Sequence, residues 1–107
     1  MDNKTCIPCQ GGIPPLNKAE ISNYITDYNL DWDVFRQKEL RKEFIFETYK
    51  SAINFANRVA ELAEIEGHHP YIHINYKKVI IKLFTHKING LHENDFIIAY
   101  KCDKLYR

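Results

Sequence analysis

Residues 67–76 read Gly-His-His-Pro-Tyr-Ile-His-Ile-Asn-Tyr, so three of the five histidines in the chain, His68, His69 and His73, fall within six residues. Imidazole has an ordinary pKa of about 6.5, so one ring can give up a proton while another takes one at neutral pH. Imidazole is also a common zinc ligand. Glu64 stands four residues before His68, and a carboxylate at that spacing on a helix can orient an imidazole and hold its tautomer. Three readings are open from these residues alone: acid–base chemistry, metal binding, or a histidine-rich surface edge with no chemistry.

The elements around the cluster decide which side chains can meet. Asn17 is a candidate N-cap with Glu20 as its capping-box partner, and Leu16 and Ile21 have hydrophobic-staple spacing. Ile21, Tyr24, Ile25 and Tyr28 continue one apolar stripe, which predicts a helix over roughly 18–28. The period then shortens, predicting two strands at about 32–37 and 41–46, joined near Lys38-Glu39-Leu40. Helical spacing returns from Tyr49 through Ala52, Ala56, Val59 and Ala63, capped by Thr48 and closed by Gly67. Pro70 forbids further helix, and alternation on both sides of Lys77-Lys78 predicts a second hairpin. Asn89-Gly90 marks its exit, and a last helix is expected over about 93–104. The order αββαββα predicts an α+β domain with a four-stranded antiparallel sheet and helices packed on one face. Residues 1–16 read as an irregular arm and 17–107 as a single domain.

A turn at Lys77-Lys78 opposes Tyr76 to Val79 and Ile74 to Ile81. Extended backward, it brings His69 opposite His86, at a Cβ separation of about 5 Å. His73 lies four extended residues past His69, about 13 Å away, and is expected to point elsewhere. The candidate constellation is therefore Glu64, His68, His69 and His86. Neighbouring residues of an extended chain face opposite sides, so His68 and His69 are poorly placed to share one ion, and no metal is expected. Cys6-Ile7-Pro8-Cys9 supplies at most half of a zinc site and sits in a Pro/Gly-rich stretch, so it reads as a tail with two thiols.

Composition narrows the function classes. Hydrophobic residues are 45%, charged residues 27% and formal net charge is +1, with no long run of like charge. This argues against nucleic-acid binding by a basic surface. No apolar stretch suits a signal peptide or a membrane span. Together with an odd cysteine count this points to a reducing, cytoplasmic setting, with the nucleus left open.

The pattern Glu64, His68-His69-Pro70, Tyr76, His86, Asp95 matches seven positions spread over 32 residues, and it resembles the signature of the pterin-4a-carbinolamine dehydratases. Asn57-Arg58-Val59-Ala60, Gly90-Leu91 and the amino-terminal CIPCQGGIPPL segment are also similar to family stretches. The resemblance spans essentially the whole chain and implies the same αββαββα fold. It implies removal of water from 4a-hydroxytetrahydrobiopterin to give quinonoid dihydrobiopterin, in tetrahydrobiopterin recycling. The pterin is the substrate, and no cofactor is needed. His68, His69 and His86 would be the catalytic imidazoles. Glu64, Gly67, Phe84, Thr85, Lys87 and Trp32 would contact substrate, with Asp95 supporting from behind. Gly67 is a departure, because many members carry Asp there, and His92 is an unusual helix cap. The resemblance also implies a homodimer or homotetramer. An alternative role is a dimerisation cofactor of a transcription factor, bound through the long helix.

Overall fold

The computed structural model describes residues 4–8 and 11–107. Its elements run α1 (Lys18–Asp27), β1 (Asp33–Phe35), β2 (Glu39–Ile45), α2 (Tyr49–Glu66), β3 (Tyr71–Asn75), β4 (Lys78–Leu83) and α3 (Glu93–Tyr106), with a 3-10 turn at His86–Ile88. The helix starts follow the capping chemistry read from sequence. Asn17 accepts from the Glu20 N–H at 2.9 Å and Glu20 returns the bond to the Asn17 N–H. Thr48 Oγ1 accepts from the Ser51 N–H at 3.0 Å. Gly67 ends α2 at φ 67°, ψ 24°, the left-handed conformation that glycine adopts without a Cβ penalty.

The four strands are all antiparallel in the order β1-β2-β4-β3. The two hairpins join through the central β2–β4 pair, and α2 carries the chain across to edge strand β3. Both hairpin turns fall earlier than the sequence suggests. The first occupies Arg36–Lys38, with Arg36 and Gln37 at φ 53° and 59°. The second occupies Tyr76–Lys77, with Tyr76 at φ 55°. Ile74 therefore faces Val79, and Tyr71 faces Lys82. The slip is two residues, so every side chain keeps its face although its partner changes. Continued past the strand ends, the register sets His69 opposite Phe84 rather than His86. β4 also stops at Leu83, because the chain folds into a closed loop in which Thr85 and Gly90 exchange backbone bonds.

One face of the sheet is buried. Leu40, Phe44, Val79, Ile81 and Leu83 are fully covered by Ala52, Phe55, Ala56 and Val59 of α2 and by Phe96, Ile98 and Cys102 of α3. The alanines of α2 allow its backbone to approach the sheet closely. Helix α1 lies on α3, with the Tyr24 and Phe96 rings stacked at 5.1 Å. Trp32 enters this core, packs edge-on against Phe44 at 5.8 Å, and donates its indole N–H to both carboxylate oxygens of Asp103 at 3.1 Å. Lys42 reaches the same carboxylate at 3.0 Å. No helix among the described residues is long and apolar enough to cross a membrane.

Asp103→Ala should cost about 2–3 kcal/mol, because it leaves a buried indole N–H and a half-buried ammonium without their shared acceptor. Urea unfolding followed by far-ultraviolet circular dichroism measures it, and a loss below 0.5 kcal/mol (roughly the scale of a neutral surface change) would show that the pair is not a structural tie.

Candidate active site

Three chain segments converge at one end of the sheet: the turn after α2, the loop after β4, and the start of α3. The turn begins at Gly67, whose left-handed backbone sends the chain out of the helix and presents His68 and His69 in different directions. His68 Nε2 lies 2.6 Å from Asp95 Oδ1, while His69 Nε2 lies 3.1 Å from Glu64 Oε1. The helical spacing suggests that Glu64 orients His68. The structure corrects this, because α2 has ended before His68 and the four-residue rule no longer applies there. Glu64 orients His69 instead. That pair is largely solvated, with side chains 60% and 80% exposed, so its attraction is weak.

His68 is held much more tightly. Asp95 is fully buried, and its carboxylate collects three donors. Oδ1 meets His68, and Oδ2 accepts from the Thr85 hydroxyl at 2.7 Å and from the His92 N–H at 3.0 Å. His92 Nδ1 in turn accepts from the Asn94 N–H at 2.9 Å, so His92 and Asp95 form a capping box at the start of α3. The unusual cap is thus met by an unprotonated imidazole nitrogen. With the carboxylate acting as acceptor throughout, His68 carries its proton on Nε2, leaving Nδ1 as its exchangeable position.

A cleft of about 260 Å³ opens at this junction. His68, His69 and His86 border it, together with Gly67, Phe84, Thr85 and Lys87. His86 is exposed and sits edge-on to Phe84, at 4.6 Å between ring centres. A second hollow of about 270 Å³ continues past His69, Phe84 and His86 onto the open sheet face, where Tyr71, Lys82 and Glu39 line it. His73 stays outside and stacks on Tyr71 at 6.3 Å, as its position in the strand suggests. Among the described residues no group of three or more His, Cys, Asp or Glu side chains is arranged to hold a metal ion.

Sequence reasoning places two residues wrongly and misses two: Glu64 pairs with His69 and is not among the residues that border the cleft. Trp32 does not border the cleft; its donor bond to Asp103 and its packing on Phe44 hold it in the core. Asn94 and Ile7 do border it. Nothing in the spacing of Asn94 announces this role, and Ile7 belongs to the arm that reads as irregular. Cys6 beside it is not a reactive thiol: burial, reinforced by the Glu66 carboxylate, pushes it up to about 12. Cys9 lies outside the described residues.

The family model for pterin 4 alpha carbinolamine dehydratase matches residues 14–105. A protein of Alkaliphilus metalliredigens, provisionally named as such a dehydratase, is 48% identical over 101 residues, covering 94% of this chain and 91% of its own. A similarly named protein of Methylococcus capsulatus is 47% identical over 103 residues, covering 95% and 90%. Among solved structures, a transcriptional coactivator/pterin dehydratase from Brucella melitensis superposes with a TM-score of 0.80 at 27% identity, over 87% of this chain and 99% of that one. A pterin dehydratase-like protein described as a RuBisCO assembly factor in the alpha-carboxysome superposes with a TM-score of 0.62 at 26% identity, over 73% and 95%. With a family model that spans most of its length and relatives close to half identical, the chain belongs to the pterin 4 alpha carbinolamine dehydratase family.

Proposed function

We propose that the protein removes water from 4a-hydroxytetrahydropterins by histidine general acid–base catalysis, returning the pterin to a recycling pathway. One observation carries this reading: three imidazoles border one cleft, and the most buried of them is held at 2.6 Å by a fully buried carboxylate. Loss of the 4a-hydroxyl as water needs a proton donor at that oxygen. Formation of the quinonoid ring needs an acceptor for the proton on N5. Neither step changes the oxidation state of the ring plus water, so no redox partner enters.

His68 is suited to exchange a proton through Nδ1 while Asp95 steadies the cationic form. His69 and His86 flank the same space from the other side, where one can serve as the complementary acid or base. Phe84 offers an aromatic ring to a flat heterocycle, and Thr85, held by Asp95 through its hydroxyl, borders the cleft. Positioned groups of this kind contribute about 10²–10⁴-fold. The dehydratase reading fits better than a protein-binding role through α2. The exposed side of that helix carries Lys50, Asn54, Asn57, Arg58 and Glu61, with Tyr49 and Ile65 as apolar side chains at its two ends, rather than a continuous apolar stripe.

Freshly generated 4a-hydroxytetrahydropterin should lose its absorbance signature faster in the presence of the protein. His68→Ala, His69→Ala and His86→Ala should each lower kcat, by roughly 10²-fold or more for the imidazole that transfers a proton in the slowest step. Unchanged rates in all three variants would show that the chemistry lies elsewhere. Asp95→Asn should lower kcat by roughly 10–10³-fold with little change in KM, since an amide has one acceptor oxygen for three donors and cannot hold the His68 tautomer. A rise in KM at constant kcat would instead make Asp95 a binding group.

A further inference from the structure

Residues 4–8 and Gly11 precede the stretch matched by the family model, yet between them they lie against every segment that builds the cleft. Asn94 is 2% exposed, and its side-chain amide makes a reciprocal pair with Ile7: the Ile7 N–H donates to Oδ1 at 3.0 Å, and Nδ2 donates to the Ile7 carbonyl at 2.6 Å. The Cys6 N–H donates to Glu66 Oε1 at 2.8 Å, and its thiol reaches the Asn94 carbonyl at 3.6 Å. Glu66 is itself anchored by Lys101. Burial alone would raise the Glu66 carboxyl, but the Lys101 ammonium and the Cys6 N–H together hold it below the usual carboxylate range. Further along, Gly11 lies against the Lys87 backbone, where a Cβ would stand 3.7 Å from the carbonyl oxygen.

The arm thus bridges the end of α2, the start of α3 and the loop after β4, the same three segments that carry His68, Asp95 and His86. It holds Ile7 by its backbone on both sides while leaving the side chain 61% exposed at the edge of a cleft otherwise rich in polar groups. Among the described residues nothing covers this apolar side chain, and a flat heterocycle entering the cleft would do so. We propose that the arm is a fixed wall of the substrate site, with Ile7 as the apolar contact for the pterin ring and Asn94 and Glu66 as positioning residues. This rests on the dehydratase reading.

The test pairs Ile7→Ser with Ile7→Val, Asn94→Ala and a chain lacking residues 1–8. Ile7→Ser should raise KM roughly tenfold with kcat within about twofold, and weaken binding of oxidised biopterin, followed by its fluorescence, by a similar factor. Ile7→Val should restore both. Because the side chain is exposed, neither Ile7 variant should shift the thermal midpoint, which separates a binding effect from misfolding. Asn94→Ala and the shortened chain should reproduce the KM increase by releasing the wall. Turnover by the parent chain, with KM and biopterin affinity unchanged in Ile7→Ser and in the shortened chain, would overturn the arm's role alone. A parent chain that neither dehydrates nor binds pterin would overturn the arm's role and the dehydratase reading together.

Discussion

The buried carboxylate of Asp95 is the constraint on which the rest of the site depends. A fully buried acid left unpartnered would be costly, and here each oxygen is used. One donor comes from the turn after α2, one from the loop after β4, and one from the first turn of α3 itself. The same group therefore caps a helix, closes a loop and sets an imidazole tautomer. It also benefits from the partial positive charge at the helix start. The histidine-bearing end of the molecule is fixed by that shared need for donors as much as by hydrophobic packing.

Packing supplies the frame that makes the convergence possible. The alanine-rich face of α2 lies close to β4 and β3, which delivers Gly67 to the same end of the sheet at which β4 finishes. Helix α3 packs against α2 and β4 with every residue from Asn94 to Ala99 buried, so its first turn has little freedom to shift. The left-handed Gly67 converts that arrangement into a division of labour. His68 is directed inward to a carboxylate in low dielectric, and His69 outward to a solvated one. Two adjacent residues of the same type thereby acquire different environments, and two rings in unlike surroundings are what a reaction needing both an acid and a base requires.

Much of this was legible in the residues, and the failures have identifiable physical causes. The capping box at Asn17, the length of the second helix and its glycine stop all act locally, so sequence spacing reports them faithfully. The first hairpin turn is displaced by two residues and the second by one, because no glycine marks them. Arg36, Gln37 and Tyr76 adopt left-handed backbone angles that their side chains do not advertise. The error kept each strand's face, so the core survived it, while His86 borders the same cleft as the paired histidines through the closed loop after β4 rather than through strand register. The partner of Glu64 was misread because a helical rule was carried past the residue that ends the helix. Trp32 was drawn toward the site by resemblance alone, and the acceptor that holds it in the core, Asp103, lies 71 positions away.

The role of Asp95 marks the boundary between local and tertiary information. Its spacing from His92 has the form of a capping box, and that half of its function could be read from the chain. The bonds to His68 and Thr85 could not, since they exist only after three segments have met. A buried polar residue near a helix start can thus be assigned a cap from sequence, but its spare acceptor capacity is the more informative feature. A cap consumes one carboxylate oxygen. The other must be satisfied from elsewhere, and in a chain with histidines at the facing sheet end an imidazole is the donor that turns a structural requirement into a chemical one. The same logic applies to Asn94, whose buried amide is satisfied by the arm and so ties the reach of the amino terminus to the shape of the cleft.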